Sequence, residues 1–413
     1  MTEVAVVGAG IVGTSVAREL AVRGVQVTLL DRGAVSGGTT GLGEGNVLCS
    51  DKPAGPELEL ARAGLELFGE LEQRLGEEAR IRRKGALIVH TEDATWDAEP
   101  ARLEAMRVAG ARLVGADELR ELEPELTGDV RGASLFPDDL QCDPRAIARA
   151  LAREAAAAGA TIREDCAVAA IAMGARDEPR AGGGDERLAA GARRGVTILL
   201  AGGERIPARA VVIAAGPWSA PLAAGAGLTL PIEPRKGQLV RLAAPAPGLV
   251  RHKVVDASYL LSVVSGDPAL QISTVVETTF EGDVLVGSSR ERRGFDTTVA
   301  PAVGEAMVER AALLFPRLRE LEQSAAWVGL RPWLPDNLPA IGPSAAVPGL
   351  WLATGHEGAG VALGPVTGRL VAQLYTGERP VVDPAPFDPD RFSRSEAQLA
   401  AARAALRHVR RRR

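Results

Sequence analysis

The hydrophobic pattern opens on an unbroken apolar run, Val4–Val7, of the kind required by a strand buried on both faces. Apolar positions at helical spacing follow, among them Ala17 and Leu20. Gly24 and Val27 then lead into a second apolar run that closes at Asp31. Residues 56–75 carry Leu58, Leu60, Leu65, Leu67, Phe68, Leu71 and Leu75 and predict a helix. Residues 85–90 read as a strand, and 102–122 as a helix with a second helical turn around Asp117, Glu118 and Leu119. Residues 143–159 predict an amphipathic helix, with an Asp-Pro start, an alanine-rich body and a terminating glycine.

Residues 161–171 and 196–200 read as paired strands. The glycine- and charge-rich segment 176–194 between them reads as a mobile hairpin excursion. Another apolar strand spans 208–215. The pattern then becomes strand-like at 238–242, 259–264, 270–274 and 284–287, followed by a helix at 301–314. Beyond Ala325 come two motif-dense loops and a helix over about 360–375. The expected organisation is one α/β domain built from residues 1–50, 143–220 and 326–413. A second domain of 51–142 and 221–325 interrupts and covers it.

Gly8, Gly10 and Gly13 form a GxGxxG turn after the first strand. Gly8 allows the tight turn, Gly10 admits a pyrophosphate to the backbone, and Gly13 lets the helix lie against the strand. Asp31, at the end of the second strand, is placed to accept hydrogen bonds from an adenosine ribose. Strand, turn, helix, strand and acid in this order point to a dinucleotide.

Composition narrows the picture. At 46% apolar and 24% charged, the 413 residues are ordinary globular material, and the net charge of −5 argues against a nucleic-acid partner. No apolar run approaches the length of a membrane span, and the first strand begins too early to leave room for a signal peptide. Cys49, Cys142 and Cys166 lack metal-site spacing and read as small buried hydrophobes, which suits a reducing, cytoplasmic setting; no metal site is expected. The tail 407–413, RHVRRRR, reads either as a solvated end or as a contact for anionic lipid or an acidic partner subunit.

Five segments together carry a family resemblance. They are the pattern from Gly8 to Asp31, AAGPWS at 214–219, GSSRERRGFD at 287–296, GLRPWLPDNLPAIG at 329–342 and ATGHEGAGVALGPVTGRLVAQL at 353–374. In order and spacing they resemble the D-amino-acid oxidase family of flavoproteins over nearly the whole chain. The bacterial branch of glycine oxidases, D-hydroxyproline dehydrogenases and opine or sarcosine oxidase β subunits is the most similar. The resemblance implies an α/β (α+β) fold, with a Rossmann-like three-layer FAD-binding domain and an antiparallel-sheet substrate domain over the flavin ring. No histidine linker stands near the glycine turn and no cysteine lies in the C-terminal third, so the FAD is expected to be noncovalent.

The resemblance also implies site residues. The nucleotide would be held by Gly8, Gly10, Ile11, Val12 and Gly13, with Asp31 and Arg32 at the ribose. The early loop would contribute Thr39, Thr40, Gly45 and Asn46, and the returning strands Val168, Ala215, Gly216 and Trp218. The ring would lie near Gly329, Gly358 and the helix start at Gly360, Val361 and Ala362, whose N–H groups favour negative charge. Arg331 would take the substrate carboxylate as a bidentate pair. Tyr259 would add a hydrogen bond or simply pack in its strand. His356 would lie near the flavin, binding the amine, holding a water or moving a proton.

Where some glycine-oxidising relatives carry a second arginine after this histidine, the chain reads Glu357-Gly358-Ala359. Glu357 is open to meeting a cationic amine or to being a solvated loop acid. Glu44, in place of a small residue, either selects a basic substrate or is salt-bridged. Trp333 and Trp218 read as packing residues, Trp333 also as a wall of the substrate pocket. The implied reaction is oxidation of the C–N bond of a D-amino acid, glycine derivative or cyclic imino acid, with hydride passing to flavin N5. The electron acceptor is oxygen, a quinone or a partner protein. The alternatives are oxidation of a 2-hydroxy acid or polyol phosphate, and a flavin-holding β subunit that needs a partner in a hetero-oligomer.

Overall fold

The computed structural model describes residues 2–127, 129–174 and 195–392. The expected hairpin excursion at 176–194 and the arginine-rich tail lie outside them. A six-stranded sheet has the order Ala340–Pro343, Leu350–Thr354, Ala210–Ile213, Val4–Val7, Val27–Leu30, Thr161–Arg163. All but the first of these strands run parallel; Ala340–Pro343 pairs antiparallel at its edge.

The central strand shows why its run is continuously apolar. Val4 and Val6 pack with the helices Ile11–Ala21 and Gly360–Thr376 through Val16, Leu20, Leu370 and Val371. Ala5 and Val7 point the other way, onto a three-stranded antiparallel sheet of Val168–Met173, Val196–Leu200 and Arg205–Ala208, where they meet Ile171, Ile198 and Ile206. Successive strand residues face opposite sides, so two covered faces demand apolar residues at every position. The two helices approach through Gly368, where a Cβ would stand 2.5 Å from the Ser15 carbonyl carbon.

An eight-stranded sheet roofs this unit, in the order Gln323–Trp333, Glu233–Leu242, Val284–Arg290, Gln271–Thr278, Lys253–Asp256, Ala86–His90, Gly132–Phe136, Arg112–Gly115. It is antiparallel except where Lys253–Asp256 meets Ala86–His90. The strand Gln323–Trp333 belongs wholly to the roof, so the expected domain boundary at 326 falls inside it. A small sheet of Asn46–Val47, Leu140–Cys142 and Ile81–Arg83 joins the early loop to the roof side.

Several expectations are corrected. Residues 259–264, with β-favouring Tyr, Leu and Val, form a helix, Ser258–Val264. Its start is fixed by Asp256, whose carboxylate accepts the Ser258 N–H at 3.0 Å. Its end is held by the buried Arg235 guanidinium, which donates to the carbonyls of Ser262, Val263 and Ser265 at 3.0, 3.2 and 3.1 Å. A cation at a helix C-terminus overrides local strand propensity. The run 161–171 divides, Thr161–Arg163 joining the parallel sheet and Val168–Met173 the small antiparallel one. Within 102–122, the strand Arg112–Gly115 separates the helices Asp93–Met106 and Ala116–Leu122. Of the cysteines, Cys49 and Cys142 are buried, while Cys166 is half-buried.

Candidate active site

A cavity of about 560 Å³ runs from the first parallel strands to the roof. One end is built mainly of backbone. Gly8 has φ +107°, and a Cβ there would overlap the Ala214 carbonyl; a Cβ on Gly13 would overlap the Gly8 carbonyl oxygen. Gly13 is therefore a packing residue and does not line the cavity, whereas Gly8, Gly10, Ile11 and Val12 do. The Thr40 hydroxyl accepts the Ile11 N–H at 3.0 Å. Asp31 accepts the N–H groups of Ala9 and Gly33 at 2.6 and 2.9 Å, one on each carboxylate oxygen. Each oxygen keeps a second lone-pair direction for a hydroxyl donor. Opposite, Arg32 lies 3.8 Å from the Trp218 ring centroid, and Trp218 stacks on Phe295. Trp218 is thus a cavity wall as well as a packing residue.

Thr39, Gly45, Asn46, Val168, Ala215 and Gly216 also line the cavity. Two hydrogen bonds tie the early loop to the roof strand. The Thr39 hydroxyl donates to the Leu330 carbonyl at 2.8 Å, and the Trp327 indole donates to the Leu42 carbonyl at 3.0 Å.

The other end is built of ionised side chains. Arg331, from the strand Gln323–Trp333, lines the cavity with Gly329. Gly237 faces Gly329 on the neighbouring strand, and a Cβ on it would overlap the Arg331 guanidinium, so the glycine makes the room this arginine occupies. Arg290 lies beside it, its guanidinium 4.5 Å from the Tyr259 ring centroid. It donates to Ser262 and Ser288 at 3.2 and 3.1 Å. Tyr259 lines the cavity from the short helix.

The Glu357 carboxylate stands among three arginines, with Oε1 3.5 Å from Arg235, 3.7 Å from Arg290 and 3.9 Å from Arg331. Burial works to raise its carboxyl, but Arg290, Arg331 and Arg235 overcome this and hold it below the ordinary value. Glu357 is not a solvated loop acid, and its backbone is left-handed at φ +46°. Burial, with the neighbouring Arg290, lowers the Arg331 guanidinium.

Glu44 is salt-bridged: it pairs with the buried Lys253 ammonium at 2.9 Å and accepts from Asn46 at 2.6 Å. Asn46 also donates to Glu277 at 3.1 Å. His356 lines the cavity, but its Nε2 meets the Thr367 hydroxyl at 2.9 Å, and burial pushes its imidazole down to about 3. It is therefore neutral near pH 7 and carries no proton as an imidazolium. Gly358, Gly360, Val361 and Ala362 line the cavity where the helix Gly360–Thr376 begins. Trp333 lies behind the site, its indole donating to Asn337 at 3.0 Å and its ring under Arg292.

Sequence reasoning missed Arg290 and Lys253. Arg290 had a signal, because Ser288 and Arg290 share one face of a strand whose alternate residues line the cavity. Lys253 had none, its partner Glu44 being distant in sequence.

The family of FAD dependent oxidoreductases that includes the D-amino-acid oxidases matches residues 3–374. The chain belongs to that family. It is 31% identical to the glycine oxidase of Pseudomonas aeruginosa over 396 residues, 94% of this chain and 98% of that protein. It is 26% identical to the D-amino acid dehydrogenase of Bradyrhizobium diazoefficiens over 342 residues, 81% of this chain and 73% of that protein. Among solved structures, the glycine oxidase of Geobacillus kaustophilus superposes with a TM-score of 0.80 at 29% identity, over 94% of this chain and 98% of that one. The chain is therefore an FAD-dependent oxidoreductase. The fold class matches the expectation. Among the described residues no helix is long and apolar enough to cross a membrane.

Proposed function

We propose that this oxidoreductase oxidises the C–N bond of an α-amino or imino acid, with Arg331 as the principal receiver of the substrate carboxylate. The observation that carries this reading is the placement of Arg331: half-buried, lining the cavity, and given its space by Gly237. A planar guanidinium in a water-poor site grips a carboxylate through two parallel hydrogen bonds, which fixes the orientation of the α-carbon.

The residues present suit FAD. The glycine turn leaves a cradle that side chains would fill, and Asp31 keeps acceptor capacity for a ribose. In this reading Gly8, Gly10, Ile11 and Val12 receive the pyrophosphate, while Arg32 and Trp218 flank the adenosine half. Thr39, Thr40, Gly45, Asn46, Val168, Ala215 and Gly216 line the path toward the ring. Gly329, Gly358, Gly360, Val361 and Ala362 border the ring end. FAD supplies the hydride acceptor when bound. The positive end of the helix Gly360–Thr376 favours anionic groups there. Tyr259 supports Arg290 through its ring, and neutral His356 positions the loop rather than shuttling a proton.

The test is anaerobic mixing of the purified yellow holoenzyme with D- and L-amino acids, cyclic imino acids and 2-hydroxy acids. Loss of flavin absorbance with an amino or imino acid supports the reading. Reduction by hydroxy acids alone overturns it.

A further inference from the structure

Three guanidiniums, Arg235, Arg290 and Arg331, surround the single carboxylate of Glu357. Nearby, Glu44 pairs with Lys253 at 2.9 Å, while Lys52 stands between two carboxylates, Asp51 at 3.0 Å and Glu57 at 3.4 Å, a group with one formal negative charge. The three arginines and Glu357 by themselves carry an excess of two positive charges, and with the Lys52 group this end of the cavity keeps an excess of one. Arg235 is committed to the carbonyls of the short helix and does not line the cavity. Arg290 and Arg331 both line it. Among the described residues, Nε of Arg290, a donor, and Oε1 of Glu357, an acceptor, have no hydrogen-bond partner; they face each other at 3.7 Å, an ion pair too long for a hydrogen bond. Buried polar atoms without hydrogen bonds are costly, so the pair is complementary to a ligand that gives Arg290 a closer acceptor and Glu357 a donor.

An ordinary amino acid is zwitterionic and brings no net charge to this cluster. An amine bearing two carboxylates brings a net negative charge, with acceptors for two arginines and a donor for Glu357. We propose that the preferred substrate is an amine dicarboxylate, either a dicarboxylic α-amino acid or a secondary amine with a carboxylate on each arm. Arg331 takes one carboxylate, Arg290 takes the second, and Glu357 accepts from the amine. The inference rests on the amino-acid reading of the site and narrows it to a charge class.

Two measurements on the holoenzyme test it. The first titrates the flavin spectrum with unreactive carboxylates. Succinate or glutarate is expected to bind at least about ten-fold more tightly than propionate, the scale of one added charge-assisted pair. Equal affinities overturn the proposal, and this readout does not depend on any turnover. The second compares anaerobic flavin-reduction rates for iminodiacetate, D-aspartate and D-glutamate with those for glycine, sarcosine and D-proline. A diacid preference in wild type should shrink toward parity in Arg290→Met and return in part in Arg290→Lys. A preference unchanged by Arg290→Met, or a monoacid preference in wild type, overturns the proposal while leaving amino-acid oxidation standing. Failure of every amine to reduce the flavin strikes instead at the broader reading, and the carboxylate titration still decides the charge class.

Discussion

At the Gly8 end of the cleft the wall is backbone; at the Arg331 end it is ionised side chains taken out of water. The first end is shaped by what is missing, since Gly8 and Gly13 leave room that a single Cβ would close. Asp31 there is held by two backbone N–H groups. The second end is shaped by what is present: three arginines, Glu357, and the pair of Glu44 with Lys253. Steric cradles are all-or-none, because a packed backbone has nowhere to move. Charged clusters are graded, because each partner removed leaves a definite unpaired charge.

Substitutions at the two ends should differ accordingly. Gly13→Val should give the largest effect, abolishing flavin retention, read as the ratio of flavin to protein absorbance after purification. A yellow, fully loaded variant would break the contrast. Arg331→Met should keep the flavin yet lower kcat/KM for an amino acid by roughly 10³-fold, the scale of a buried carboxylate left without its cation. An unchanged kcat/KM would remove Arg331 from the carboxylate.

Glu44→Gln should cost about 3 kcal/mol of stability by leaving Lys253 buried and unpaired, measured by chemical denaturation of the loaded enzyme. Gly237→Ala displaces the Arg331 guanidinium without touching its charge. It should raise KM by about ten-fold with the flavin retained, the scale of one weakened charge-assisted bond.

His356 should matter least near neutral pH and more in acid. Its imidazole has an ordinary value of 6.5 and is pushed down to about 3 in the fold. The unfolded chain therefore binds the extra proton between those values, and stability falls as pH drops through that window. The slope from this residue is about 1.4 kcal/mol per pH unit. Thermal unfolding of wild type and His356→Gln from pH 7 to pH 4 checks this, and the variant should show the shallower acid slope.

The same contrast explains what could be read from the sequence. The nucleotide end was legible because its parts are contiguous, running from Val4 through the glycine turn to Asp31. Backbone constraints write themselves as glycines at fixed spacing. Arg331 and His356 were legible through the segments around them, and both line the cavity. The roof was less legible. Glu44 finds Lys253 only after the chain has built most of the second sheet, so no local pattern announces the pair. The segment 259–264 looked like a strand because its residues favour one. What makes it a helix is Arg235, bonded to its carbonyls from another strand. Arg290 sat in view among the arginines of GSSRERR, and only strand register decides which of them faces inward.

The bonds from Thr39 to Leu330 and from Trp327 to Leu42 bear on how the two ends communicate. They fasten the loop that borders the nucleotide to the strand that carries Arg331. Whatever fixes the loop also fixes the strand, so the two binding events share one ordering step. Thermodynamic linkage then requires reciprocity. The factor by which bound FAD tightens a carboxylate at Arg331 equals the factor by which that carboxylate tightens the protein's hold on FAD.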